Sequence, residues 1–294
     1  MSDDPDGSEV DTGATVELAL SDLEAAPAVR RSDLRDQLPG IEPERHVTDW
    51  GRSERVEGLV DRTVYDFFYR YWFRVVVEGI ENIPADGGAL LVANHSGAIP
   101  TDGPMIAKAV KEEHPRPRPV HLTSERPFSG WPGVGMLLTK LGAVAAHPAN
   151  LHRLLFDERQ LVLVFPEGPG GSRKPVKERY RLRRFDHAPI AAALRSSAPI
   201  VPVAVLGAEE ALPVLAHVGP LRRLTHLPRV PVAPVFPLPA KFKIRFLEPV
   251  ATDETDELML RDPEHLQTLT ADLRALIQEN LLEMVAERRS VWLG

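Results

Sequence analysis

Ala89-Leu90-Leu91-Val92-Ala93-Asn94-His95-Ser96-Gly97-Ala98-Ile99-Pro100-Thr101-Asp102 is the stretch on which the reading of this chain turns. Ala89 to Val92 is apolar, too short for a helix and without polar alternation, which predicts a strand buried on both faces and ending at Asn94-His95. Gly97 and Pro100 then break the chain. Asp102-Gly103-Pro104 has the composition of a helix start, with Asp102 as N-cap. A buried strand thus delivers a histidine to a turn, and a carboxylate follows seven positions later. Histidine is the side chain best suited to move a proton near neutral pH, and a carboxylate on its far nitrogen fixes the tautomer and stabilises the imidazolium.

Further buried runs recur on either side. Pro119–Thr123, Leu141–Val144, Leu161–Phe165, Pro199–Val205 and the alternating Lys241–Phe246 read as strands. Between them lie helical patterns over 103–110, 128–141, 150–157 and 189–194, and Leu266–Val285 closes the chain as an amphipathic helix. This alternation predicts an α/β fold with a mixed, largely parallel sheet flanked by helices.

Composition narrows the chemistry. The chain has no cysteine, which excludes disulfides, thiolate catalysis and Cys-based zinc sites. His114, His121, His147, His152 and His187 are scattered without ligand spacing, so no metal is expected. The net charge of −7 is uneven: up to Arg45, twelve acids face four arginines, leaving the remainder near +1. Residues 1–48 are therefore expected to form an acidic disordered leader, and 49–294 the working domain. Met1 to Asp6 is acidic with no apolar stretch after it, and no run reaches the roughly 20 apolar residues that span a bilayer. A cytoplasmic location is expected, with peripheral contact to the inner face of the cell membrane.

That contact is suggested by two stretches. From Ser53 to Val77 apolar residues recur at helical spacing, and Tyr65, Phe67, Phe68, Tyr69, Tyr71, Trp72 and Phe73 interleave with Arg70 and Arg74. Such a helix suits either a core or a membrane interface. From Leu212 to Pro239 the chain is apolar, proline-rich and irregular, with the same two destinations open to it.

Leu161–Phe165 runs directly into Pro166-Glu167-Gly168-Pro169-Gly170-Gly171-Ser172-Arg173-Lys174. Three glycines allow backbone N–H groups to turn toward an anion, and Arg173 and Lys174 add charge. The basic run continues through Lys177, Arg179, Arg181, Arg183 and Arg184. P-loop spacing is absent, so the expectation is a phosphate or acidic-headgroup site of another kind.

Four segments in this order resemble the glycerolipid acyltransferase superfamily, the PlsC-type lysophospholipid acyltransferases. They are Asn94-His95 with Asp102, then Lys140-Leu141-Gly142-Ala143-Val144, then Phe165-Pro166-Glu167-Gly168, and last Ile200-Val201-Pro202-Val203-Ala204. The likeness covers roughly Val76 to Pro249. One departure stands out: the family's first block has four residues between His and Asp, whereas Ser96 to Thr101 put six between them here, and Pro100 occupies the usual position of the acid. A bulge at Gly97–Pro100 would still return Asp102 to His95, as in what looks like a bacterial subgroup.

The resemblance implies a glycerol-3-phosphate acyltransferase-like fold and acyl transfer from acyl-CoA or acyl-carrier protein, with no resident cofactor. The acceptor would be the hydroxyl of a lysophospholipid or glycerol-phosphate-like molecule. His95 would be the general base and Asp102 its partner. Glu167 and Gly168 would help form the acceptor pocket, and Arg173 and Lys174 would hold its phosphate, with Lys177, Arg179 and Arg126 as further candidates. Two other classes compete. A serine hydrolase using Ser96 lacks the G-x-S-x-G elbow. A non-catalytic lipid-headgroup module of the same fold would fit the unusual His–Asp spacing. Nucleic acid is not an expected partner, because the basic run lacks interleaved aromatics.

Overall fold

The computed structural model describes residues 47–95, 101–124, 132–172, 174–218, 230–252 and 262–293. The expected acidic leader lies outside them, save for its last two residues. Nine strands are formed among the described residues: β1 Val76–Glu78, β2 Ala89–Ala93, β3 Val120–Ser124, β4 Ala143–Ala145, β5 Leu161–Val164, β6 Ile200–Leu206, β7 Ala216–Val218, β8 Val230–Val232 and β9 Lys243–Phe246. Seven make one sheet in the order β1-β9-β6-β2-β5-β3-β4. β2 pairs in parallel with both β5 and β6, β3 in parallel with β5 and β4, and β1 in parallel with β9. Only the β6–β9 pairing within this sheet is antiparallel. β7 and β8 form a separate antiparallel pair inside the proline-rich stretch.

β2 is central because its sequence permits nothing else. All five of its residues are fully buried, and their side chains alternate between two cores. Ala89, Leu91 and Ala93 enter one core and Leu90 and Val92 the other. A leucine so buried contributes on the order of 2 kcal/mol through removal of its surface from water.

Helices cover both faces. α1, Glu54–Val60, continues through wider i→i+5 turns at Asp61–Tyr65 and Phe67–Trp72. It packs with α2, Asp102–Glu113, on the first face, where Tyr69, Phe73, Met105, Ile106, Ala109 and Val110 are buried. Lys108 locks the two together: its buried ammonium lies 3.2 Å from Asp61, 3.3 Å from Asp66 and 2.7 Å from Glu112. α3 is Pro132–Lys140, α4 Pro148–His152 and α5 the short turn Pro169–Ser172. α6, Ala188–Arg195, and the long α8, Pro263–Glu287, cover the second face, α8 through Leu273, Ile277, Leu281 and Met284. Between them in sequence lies α7, Ala208–Ala211.

Two local expectations change. Asp102 is the first residue of α2 rather than its cap, Thr101 preceding it with α-helical backbone. The strand expected from Leu141 begins at Ala143, because Leu141 and Gly142 still close α3 through bonds to Leu137 and Thr139.

Candidate active site

β5, β2 and β6 lie side by side and parallel, so their C-terminal ends open on one edge of the sheet. Beyond them come Phe165-Pro166-Glu167, Asn94-His95 and Gly207-Ala208-Glu209. Ligand sites of open α/β sheets form at this kind of edge. Asn94 anchors the middle segment. Its side chain is buried, donates to the Val205 carbonyl at 2.9 Å and accepts from the Val205 N–H at 2.7 Å, extending the β2–β6 ladder by one rung.

His95 follows at the mouth. Its Nδ1 lies 3.0 Å from Asp102 Oδ2, and Asp102 Oδ1 accepts from the Gly103 N–H at 2.9 Å. The Asp102 side chain is fully buried, while the imidazole keeps 13% of its surface. The ring stacks on Phe165 with centroids 4.3 Å apart. Burial alone would pull the imidazole pKa down. The Asp102 carboxylate, by charge and hydrogen bond, and Glu167 by charge outweigh that and hold it above its ordinary value. The arrangement is a histidine oriented at Nδ1 by a buried carboxylate, with Nε2 the nitrogen left for a reacting hydroxyl.

Glu167 sits behind the histidine and bonds the backbone on two sides. Oε1 accepts from the His95 backbone N–H at 3.0 Å, and Oε2 accepts from the Arg183 N–H at 2.7 Å. Gly168 adopts the left-handed conformation, φ +55°, that lets the chain double back after Glu167. The N–H groups of Gly168 and Gly171 bond the carbonyls of Phe165 and Gly168, at 2.9 and 3.1 Å. These two are therefore spent within the turn and do not point at an anion, as the glycine-rich composition had led us to expect.

Lys174 also departs from expectation. Its side chain is 2% exposed, with the ammonium 3.3 Å from Glu167 Oε2 and 2.8 Å from Glu209 Oε1. It is a buried counter-ion to two carboxylates, where the basic run had suggested a surface lysine. Lys177, Arg179, Arg181, Arg183 and Arg184 are exposed, as the run suggests. Arg173 and Arg126 lie outside the described residues, as do Ser96 to Pro100, the residues between His95 and Thr101 in sequence.

Sequence reasoning gave no role to Phe165 or Glu209, and took Gly171 only as part of an anion-facing turn. Phe165 had a signal, its place at the end of β5 one residue before Pro166-Glu167. Glu209 had none, since nothing local distinguishes it from a solvated acid in α7.

A family model described as Acyltransferase matches residues 74–206. The uncharacterized protein Rv0502 of Mycobacterium tuberculosis is 38% identical over 293 residues, covering 96% of this chain and 81% of its own length. The uncharacterized protein ML2427 of Mycobacterium leprae is 38% identical over 290 residues, covering 95% of this chain and 78% of its own. Among solved structures, the 1-acyl-sn-glycerophosphate acyltransferase PlsC from Thermotoga maritima superposes with a TM-score of 0.53 at 21% identity. That match spans 81% of this chain and 84% of the other, a likeness of fold.

Proposed function

Since a family model described as Acyltransferase matches residues 74–206, we propose that the chain belongs to the glycerolipid acyltransferase superfamily and moves a fatty acyl group from a thioester donor to the hydroxyl of a lysophospholipid or glycerol-phosphate-like acceptor. The observation that carries this reading is the contact between His95 Nδ1 and Asp102 Oδ2 at 3.0 Å, held despite six intervening residues. His95 Nε2 takes the proton of the acceptor hydroxyl as its oxygen attacks the thioester carbonyl carbon. The tetrahedral intermediate collapses with cleavage of the carbon–sulfur bond, and the imidazolium returns its proton to the departing thiolate. Asp102 stabilises the imidazolium throughout. No acyl-enzyme is formed.

The donor is acyl-CoA or acyl-carrier protein, both of which present the same thioester. The acceptor's phosphate is offered Arg173 and the exposed Lys177 and Arg179, with Glu167 and Gly168 shaping the pocket from behind. A lipid acceptor is met at a membrane surface. Leu59, Val64, Phe67 and Tyr71 project from the aromatic helix into solvent, and Val235 and Phe236 are exposed as well. Phe236 packs on Phe68 and Trp72 of that helix, and Phe67 packs on the same two rings, so these four form one aromatic cluster. No helix among the described residues is long and apolar enough to cross a membrane. Peripheral attachment is the form this reading gives to membrane contact.

The test is transfer from a labelled long-chain acyl-CoA or acyl-carrier protein to a panel of lysophospholipids and glycerol phosphate, comparing wild type with His95→Ala. Acceptor-dependent transfer lost in the variant is the expected result. Fatty acid release independent of acceptor, or equal transfer by both proteins, would overturn the assignment.

A further inference from the structure

Lys174 occupies the position at which the sequence offers a phosphate ligand, yet its ammonium is turned inward, hydrogen-bonded to one carbonyl and ion-paired with two carboxylates. An ammonium has three N–H bonds. Three acceptors surround this one: Glu167 Oε2 at 3.3 Å, Glu209 Oε1 at 2.8 Å and the Arg181 carbonyl at 3.2 Å. Both carboxylates also accept backbone N–H bonds. Glu167 bonds the His95 and Arg183 N–H groups, and Glu209 Oε2 accepts from the Tyr180 N–H at 2.5 Å. The Glu167 side chain is fully buried and that of Glu209 is 10% exposed.

A single connected path therefore runs from the His95 backbone through Glu167, Lys174 and Glu209 to Tyr180, joining the segments that follow β2, β5 and β6. Two buried carboxylates share one cation. Without it they would face each other unscreened, and one would take a proton or swing away. Burial already holds the Glu209 carboxyl above its ordinary range, against the lowering pull of Lys174. Loss of the ammonium disturbs Glu167 as well, and with it the acceptor of the His95 N–H.

We infer that Lys174 is a positioning residue for His95, acting through Glu167, and takes no part in holding substrate phosphate. The inference rests on the acyl-transfer reading only in taking His95 as the reacting base. Its geometric content is that the ammonium pairs with Glu167 Oε2 and keeps the carboxylate aimed at the His95 backbone N–H.

Lys174→Met and the double variant Lys174→Met/Glu209→Gln separate the two roles. With lysophosphatidate as acceptor and a long-chain acyl-CoA as donor, Lys174→Met is expected to lower kcat tenfold or more and leave the acceptor KM within about twofold. A displacement near 1 Å at a reacting group costs up to about 10²-fold. The double variant removes the unbalanced second carboxylate and is expected to recover part of kcat. In nuclear magnetic resonance of the full chain, the His95 amide resonance and the ring titration both move in Lys174→Met.

An unchanged kcat with an acceptor KM raised tenfold would make Lys174 a phosphate ligand and overturn the inference. Unmoved His95 resonances would overturn it too. If wild type transfers no acyl group to any acceptor, the acyl-transfer reading fails while the His95 resonances still decide the positioning. Should Lys174→Met not fold, the double variant carries the same measurements. Failure of both to fold would assign Lys174 to structure alone.

Discussion

Gly171 approaches His95 so closely that a β-carbon on the glycine would lie 2.9 Å from the His95 carbonyl oxygen and 3.0 Å from its Cβ. The same atom would stand 2.8 Å from Glu167 Cβ. The turn after β5 is thus packed against the histidine with no room for any side chain. Gly171→Ala is expected to push His95 from its place against Asp102 and lower kcat by about 10- to 100-fold, with a small change in acceptor KM. Steady-state kinetics with a thermal melt checks this, and wild-type turnover in the variant would show that the contact has slack.

The His95–Asp102 pair sets the pH dependence. Acting as a base, His95 must be neutral, so the rate rises with pH through its pKa. Asp102 and Glu167 hold that pKa above the ordinary 6.5 against the opposing effect of burial. The acid limb of kcat/KM should therefore have its midpoint above 6.5. Asp102→Asn should shift that midpoint downward and cut the plateau by about 10²- to 10⁴-fold. A midpoint left in place would mean that another group governs the limb.

His121 makes stability itself depend on pH. It is buried on β3, and burial first, then the nearby Arg52 charge, lower its pKa from 6.5 to about 4. Between those values the unfolded chain binds a proton that the folded chain refuses, so stability falls as pH drops through 6.5 and the loss is complete below about 4. The span is worth about 3 kcal/mol. Denaturant melts of wild type and His121→Leu at pH 4.5 and 7.5 should show a smaller difference for the variant; equal differences would remove His121 from the account.

Asn94 is a test of stability more than of chemistry. Asn94→Ala strands both the N–H and the carbonyl of Val205 in a buried site. Each unsatisfied group costs about 1–3 kcal/mol. A loss of roughly 2–5 kcal/mol in urea denaturation is expected, and a loss under 1 kcal/mol would show that water replaces the amide.

Leu59 and Tyr71 carry the membrane part of the reading, being 60% and 69% exposed on the aromatic helix. Leu59→Glu/Tyr71→Glu should weaken sedimentation with anionic phospholipid vesicles about tenfold or more, through lost apolar burial and added negative charge. Since neither side chain is in a core, the thermal midpoint should hardly move. Unchanged vesicle binding would place the lipid contact elsewhere.

Most of the sheet could be read from the chain because uninterrupted apolar runs such as Leu90–Val92 and Leu161–Val164 have one stable destination. Buried on both faces by 0–2% exposure, they can pair only in the middle of a parallel sheet. The aromatic helix was ambiguous for a reason the structure makes plain. Tyr69 and Phe73 enter the core while Phe67 and Tyr71 face solvent, so one helix serves both of the environments its composition suits. Its wide turns escaped notice because residue spacing does not distinguish an i→i+5 bond from an i→i+4 bond over so short a length.

What the sequence determined by itself is the order of buried strands and the placement of Asn94-His95 and Phe165-Pro166-Glu167 at their ends. Those depend on runs of neighbouring residues and on the period of a strand. What tertiary structure decided is where the charges point. A lysine in a basic run has the same local sequence whether its ammonium meets water or a carboxylate. Lys174 is turned inward because β5 and β6, each a neighbour of β2, bring Glu167 and Glu209 within reach of one ammonium. Gly171 has its meaning for the same reason: its close partner, His95, arrives from another strand.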